Sequence, residues 1–255
     1  MPKVSVAIIT KDEEANMRDC LESVKWADEV VVVDNGSTDN TLNICREYQA
    51  KIYPEEWKGY AGQKNSAIAK TRNEWVLSLD ADERISPELR QEIQQSLEEK
   101  PKFSGYFIAR KNFFLGHWIR HCGWYPDFNL RLFRKSLGRF REREVHEKIE
   151  VQGKAGYFEH AMEHKTYRSL DDYFRRMNRY STLAAREMAR AGRKFRLRDA
   201  FFRPPFTFFQ MYFLRVGFLE GYLGFLLSSL YSFYTFVKYS KLKEVQEFES
   251  SKKIN

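Results

Sequence analysis

The sequence predicts an α/β protein built on a mostly parallel central sheet, followed by a helical C-terminal extension. Apolar runs at 4–9, 29–33 and 75–79 read as buried strands, and stretches of helical periodicity separate them, the signature of βαβ units. Each run stops abruptly at polar residues: Thr10, then Asp34, then Asp80 and Asp82. Beyond residue 200 the chain changes character and becomes aromatic and apolar.

In chain order, the first strand ends at Thr10, and a helix carried by Met17, Cys20, Leu21 and Val24 follows. The second strand runs into Asp34-Asn35-Gly36-Ser37-Thr38-Asp39, turn chemistry followed by a helix start. Leu42, Ile44, Cys45 and Tyr48 mark the next helix, residues 51–53 a short strand, 62–70 a helix and 75–79 a strand. Residues 87–97 read as an exposed helix. The stretch 103–165 is β-rich and irregular, with candidate strands at 106–109, 130–133 and 148–151. From 169 to about 198 the chain is helical and strongly basic; from 201 to 237 Pro204-Pro205, Arg215 and Glu220 interrupt the apolar tail. These shifts predict one domain over 1–165, with halves 1–90 and 91–165, and an extension over 166–255.

Residues two apart on an extended backbone share a face, so Asp80 and Asp82 are expected to point together. Two such carboxylates suit a hard divalent cation that keeps positions free for a phosphate, although short acidic pairs are also common in turns. In parallel sheets ligands bind outside the carboxyl ends of the strands, and Thr10, Asp34, Asp80 and Asp82 all fall on that rim.

With 255 residues, 43% hydrophobic and 31% charged, the chain is expected to fold around a substantial core. The net charge of +8 fits either nucleic acid or an anionic membrane surface. Three cysteines at unrelated spacings make neither a disulfide framework nor a zinc pattern, pointing to reduced thiols in a cytosolic setting. The apolar run at the start is too short for a signal peptide.

Three segments in order, Val6-Ala7-Ile8-Ile9-Thr10-Lys11-Asp12-Glu13-Glu14, Val31-Val32-Val33-Asp34-Asn35-Gly36-Ser37-Thr38-Asp39-Asn40-Thr41 and Leu79-Asp80-Ala81-Asp82-Glu83, resemble the inverting nucleotide-sugar transferases of glycosyltransferase family 2, which have the GT-A fold. More narrowly, residues 57–65, Arg131-Leu132-Phe133-Arg134, Val145-His146-Glu147 and the tail from Arg203 to Tyr239 resemble bacterial lipopolysaccharide-core glucosyltransferases, which act on an inner-core heptose. Asp12 stands where the wider family often has Asn.

The resemblance implies a UDP-sugar donor, a Mg²⁺ or Mn²⁺ cofactor and a lipid-linked core acceptor. Thr10, Glu13 and Asp34 would line the nucleotide pocket, with Lys64 and Arg72 near the base or diphosphate. Asp80 would face the ribose and metal, Asp82 would bind the metal, and His164 would be a third ligand. Inverting transfer needs one general base; Glu147 is the first candidate and Asp127 the reserve, with His146 orienting the acceptor. Plainer readings stand beside these. Asp34 suits a turn or cap, Glu13 a first-turn acid favoured by the helix dipole, Lys64 and Arg72 solvated charges, and Glu147 a salt bridge to the charged run before it. His164 as a lone histidine is as well explained by structure.

For the tail, residues 221–237 are uncharged but fall short of the roughly 20 apolar residues of a full span. An interfacial segment is expected, its aromatics entering the bilayer while Arg193, Lys194, Arg196, Arg198, Lys238, Lys241 and Lys243 meet anionic lipid. A core-packing helix pair is the rival. The expected location is cytoplasmic, on the inner face of the inner membrane. Competing functions are a module gripping single-stranded nucleic acid, for which no recognition signature exists here; transfer to polyprenyl phosphate or a protein side chain; and nucleotidyl transfer, which lacks its glycine-rich basic loop.

Overall fold

Alternating apolar and helical segments fold into the expected layers. The computed structural model describes residues 2–99, 101–141 and 148–252, with side chains to 247. In order come β1 (Val4–Thr10), α1 (Glu14–Val24), β2 (Glu29–Asp34), α2 (Thr41–Glu47), β3 (Lys51–Pro54) and α3 (Gly59–Lys70). Then follow β4 (Trp75–Asp80), β5 (Glu83–Arg84), α4 (Pro87–Glu98), β6 (Gly105–Phe114), β7 (His117–Trp118) and β8 (Asp127–Arg134). The rest are β9 (Gly138–Arg141), β10 (Lys148–Val151), β11 (Ala155–Tyr157), β12 (Met162–Tyr167), α5 (Leu170–Arg190), α6 (Leu197–Phe209) and α7 (Gly221–Lys252). Two compact units result: residues 1–111 with 127–165, and 112–126 with 166–255. The segment 112–126, expected in the first domain, belongs to the second unit.

In the first unit β3, β2, β1 and β4 lie side by side and parallel. The Val, Ile and Leu runs of β2, β1 and β4 are almost entirely buried, as strands covered on both faces must be, while β3 at the edge is only half-buried. Strand β8 then joins β4 antiparallel, and β6 joins β8 antiparallel. The sheet continues through β12 to β5. Only Ala81 and Asp82 separate β4 from β5, so the two strands stay within about 10 Å along the chain. The sheet therefore curls back on itself at the Asp-x-Asp segment. Strand order 3-2-1-4 also puts the switch in connection direction between β1 and β4, where open α/β sheets form their binding crevice.

Two sequence expectations need correction. Residues 87–97 are an amphipathic helix and not a fully exposed one, because Leu89, Ile93 and Leu97 recur every four residues and fill the core beneath the sheet. Asp80 and Asp82 do not share an extended strand: β4 ends at Asp80, and Ala81 and Asp82 form a turn.

The second unit packs α5, the hairpin of α6 and α7, and the 112–126 segment around Phe114, Trp124, Tyr173, Met211 and Leu227. The hairpin turns through a π-helical turn (Gln210–Leu214) and a 3-10 turn (Gly217–Glu220), with Val216 in the left-handed region. There the backbone closes on itself. A Cβ on Gly224 would lie 1.8 Å from the Gly217 carbonyl oxygen. Gly224→Ala is expected to destabilise this unit by roughly 1–3 kcal/mol, read as a lowered thermal midpoint; an unchanged midpoint would show that the approach is not constrained.

Candidate active site

The parallel register places the polar strand ends side by side: Thr10 is opposite Asp34, and Ile9 is opposite Asp80. The loops that follow β1 and β2 are locked together. Asp12, at φ 53°, accepts the Thr38 N–H at 2.7 Å, and its own N–H donates to the Ser37 hydroxyl at 2.9 Å. Asp and Asn tolerate that left-handed backbone better than most residues, which explains an aspartate where the family often has asparagine. The Glu13 N–H donates to the Thr41 hydroxyl and the Glu14 N–H to Asp39, so the starts of α1 and α2 cap one another.

Asp34 is almost fully buried, and its carboxylate accepts the N–H groups of Gly36 and Ser37 and the Ser37 hydroxyl. Its turn-forming role is thus present in the structure. Glu13 accepts the Asn16 side-chain amide at 2.6 Å while its carbonyl starts α1. Thr10 differs. Its hydroxyl is buried at the rim with no hydrogen-bond partner among the described residues, a cost that a ligand's polar atom would remove.

Asp80 lies in a charged cluster. Lys64 Nζ is 2.8 Å from Oδ1 and Arg131 Nη2 is 2.8 Å from Oδ2. Arg131 also pairs with the fully buried Glu83, whose Oε2 accepts the Asp80 N–H at 3.0 Å. Burial alone would raise the Asp80 carboxyl, but Lys64 and Arg131 outweigh it and hold it well below the usual carboxylate range. Arg110 extends the cluster from Glu83 (3.4 Å) to Asp127 (2.6 Å). Among the described residues the carboxylates of Asp80, Glu83 and Asp127 are thus interleaved with the cations of Lys64, Arg131 and Arg110.

Asp82 faces the late histidine. Its Oδ2 lies 3.5 Å from His164 Nε2, and its carbonyl accepts the Lys165 N–H. The β5–β12 pairing, with His164 opposite Glu83, brings the late histidine to the turn. Arg84 braces the turn from beneath, donating to the carbonyls of Ala81 and Asn16. Among the described residues no group of three His, Cys, Asp or Glu side chains is arranged to hold a metal alone. One carboxylate oxygen and one imidazole nitrogen nevertheless fit a hard or borderline divalent cation whose remaining positions come from a diphosphate.

Arg72 is a correction. Its N–H donates to Glu29 at the start of β2, and its side chain is 79% exposed. Because α3 runs back antiparallel to the strands, its end delivers Arg72 to the opposite rim. Asp127 is also unlike its expectation, tied to Arg110 and to the Asn129 amide. Glu147 and His146 lie outside the described residues. The hairpin strands β9 and β10 flank them, and Asn65 fastens this hairpin to α3 through both polar atoms of the Phe140 backbone. Sequence reading gave Arg131, Glu83 and Arg110 no role; the available signal was an arginine inside the otherwise apolar strand 130–133.

The model of "Glycosyl transferase family 2" matches residues 5–164. Similar over most of the chain is the "Lipopolysaccharide core biosynthesis glycosyltransferase LpsC" of Rhizobium meliloti (strain 1021), 32% identical over 249 residues, covering 91% of this chain and 90% of that protein. An uncharacterized glycosyltransferase of Rickettsia typhi is 31% identical, covering 91% and 83%. Among solved structures, glucosyl-3-phosphoglycerate synthase from Mycobacterium tuberculosis, in complex with Mn²⁺, UDP and glucosyl-3-phosphoglycerate, is similar at a TM-score of 0.50 and 16% identity, over 75% of this chain and 80% of that one. That likeness is one of fold. The family match covers the rim, the Asp-x-Asp turn and His164 alike, and the chain belongs to glycosyltransferase family 2, with the GT-A fold.

Proposed function

We propose that the protein transfers a hexose, glucose from UDP-glucose, to an inner-core heptose of a lipid-linked lipopolysaccharide core, with inversion, at the cytoplasmic face of the inner membrane. The observation that carries this reading is the near full-length similarity to LpsC. The rim chemistry supports the donor class. The Thr10 hydroxyl has an unmet bonding need among the described residues that a nucleotide would satisfy, and Lys64 and Arg131 hold Asp80 as a carboxylate, which would face the ribose. Asp82 and His164 would hold the divalent cation, which neutralises charge on the departing diphosphate.

Glu147 would take the acceptor proton. Asp127, the reserve, has its carboxylate engaged by Arg110 at 2.6 Å. The test is a donor screen measuring UDP release with and without Mn²⁺, using deacylated heptose-containing core as acceptor. UDP-glucose is expected to turn over only with both metal and core present. Glu147→Gln is expected to lose about 10²–10⁴-fold in kcat with little change in donor affinity. Turnover of another nucleotide sugar alone, or full activity of Glu147→Gln, would overturn the corresponding part.

A further inference from the structure

None of the site residues described above lies on the hairpin of α6 and α7, yet its surface is built for a partner. Phe201, Leu214, Leu219 and Tyr222 are 71, 62, 61 and 73% exposed, far more apolar surface than a water-facing helix pair normally shows. Of the two charges that interrupt this run in the sequence, Glu220 is engaged within the unit. It accepts the backbone N–H groups of Arg120 and His121, both at 2.9 Å, and meets His121 Nδ1 at 2.6 Å. The Arg215 side chain lies against Gly123, so closely that a Cβ there would be 2.3 Å from Nη1, and the residue stays exposed beside the apolar tip. A cation in that place suits the headgroup level of an anionic bilayer.

At the open end of the hairpin, three cations gather on one ring. Arg193, Arg203 and Lys238 stand 5.3, 5.5 and 5.5 Å from the centre of Tyr239. One carboxylate, Asp199, answers them, 3.0 Å from Arg203 and 3.6 Å from Arg193. Burial, then Arg193 and Arg203, hold the Lys238 ammonium below the ordinary lysine range. An anion arriving here would relieve that repulsion. On the same two helices an open apolar cleft of about 420 Å³ is lined by Ala200, Pro204, Phe208, Ser232 and Phe236, with Pro204 next in sequence to Arg203. Clustered cations and an apolar cleft on the same pair of helices match a molecule with an anionic head and a hydrocarbon tail.

We propose that this hairpin docks the protein on an anionic phospholipid bilayer, with a lipid phosphate at Arg193, Arg203 and Lys238, an acyl chain along the cleft, and the 214–222 tip in the outer part of one leaflet. The hairpin inserts without spanning. No single helix among the described residues is long and apolar enough to cross a membrane, and the pair that passes together is bent by 75°. The uncharged stretch 221–237 rises about 25 Å, short of the roughly 30 Å hydrocarbon core. This deepens the membrane location proposed above and is independent of which sugar is transferred.

The test is flotation of the full chain with phosphatidylglycerol–phosphatidylethanolamine vesicles and, separately, with phosphatidylcholine vesicles. The wild type is expected to float with the anionic vesicles and only weakly with the neutral ones. Arg203→Gln with Lys238→Gln is expected to weaken anionic-vesicle binding about thirtyfold and to remove the lipid-charge preference. Leu219→Ser with Tyr222→Ser is expected to lose binding to both. UDP release with deacylated core should be unchanged in all, which shows an intact enzyme. The proposal falls if the wild type does not float, if the variants float equally, or if inorganic phosphate binds the cluster but vesicles do not. It also falls if light scattering shows that a second copy of the chain covers the hairpin in solution. Flotation by a protein that releases no UDP with any core acceptor would instead overturn the proposed function and leave this inference standing.

Discussion

Asp82→Asn is expected to lower kcat/KM for the UDP-sugar about 10²–10³-fold, the several kcal/mol that one charged contact to a diphosphate-bound cation supplies. The substitution keeps size and shape and removes only the charge. The backbone of the turn stays held by the Lys165 N–H on the Asp82 carbonyl and by Arg84 beneath, so the fold should persist with a nearly unchanged thermal midpoint. Two readouts separate a metal role from a structural one. Wild-type protein should gain thermal stability from UDP only when Mn²⁺ is present, by mass action on the native state, and Asp82→Asn should lose that gain. His164→Ala should show a smaller loss in the same direction, and the double variant should lose less than the sum, since the two side chains meet at 3.5 Å. Retention by Asp82→Asn of activity within a few-fold, together with Mn²⁺-dependent stabilisation by UDP, would remove Asp82 from the metal site.

How much of this site could be read beforehand depended on how local each signal was. Strands β1, β2 and β4 were legible because each is an apolar run cut off by a polar residue, and their parallel pairing then puts Thr10, Asp34 and Asp80 on one rim. His164 reaches Asp82 only because β12 pairs with β5, a long-range closure that periodicity does not encode. Arg72, which the resemblance put near the base or diphosphate, is instead the solvated charge of its plainer reading. It follows α3, and a helix returning across a parallel sheet ends at the far rim; the six residues from Lys64 to the helix end at Lys70 already carry the chain about 9 Å along the helix axis. Asp80 and Asp82 were read as an extended pair, yet the chain must turn at Ala81 to start β5, so the two face different neighbours. The charged cluster was the least legible part. Its members come from α3, β4, β5, β6 and β8, and none has a distinctive spacing to another.

Arg131→Met is expected to cost the N-terminal unit about 3–5 kcal/mol of stability, the usual consequence of removing one partner from a buried ion pair. Arg131 is 4% exposed and serves two carboxylates at once. Methionine fills most of its volume, so the loss reports charge and not a cavity. Asp80 would keep Lys64, and Glu83 would keep Arg110 at 3.4 Å, but the interior would hold an excess negative charge. The effect should depend on pH with a definite sign. In the native protein the Asp80 carboxyl is held below its ordinary value of 3.8, so its pairing stabilises above that pH and is lost as pH falls below it. Without Arg131 that depression shrinks. The variant should therefore begin its acid unfolding at a higher pH than the wild type, while the two curves converge at low pH. Arg131→Lys keeps the charge but not the planar fork that spans two acids, and should fall between them. Urea midpoints at neutral pH and near pH 4 measure both effects; a loss below about 1 kcal/mol at neutral pH would mean that Arg131 is not what neutralises Asp80 and Glu83. Because Asp80 borders Asp82 across a single residue, donor binding by Arg131→Met should weaken even at temperatures where the protein remains folded.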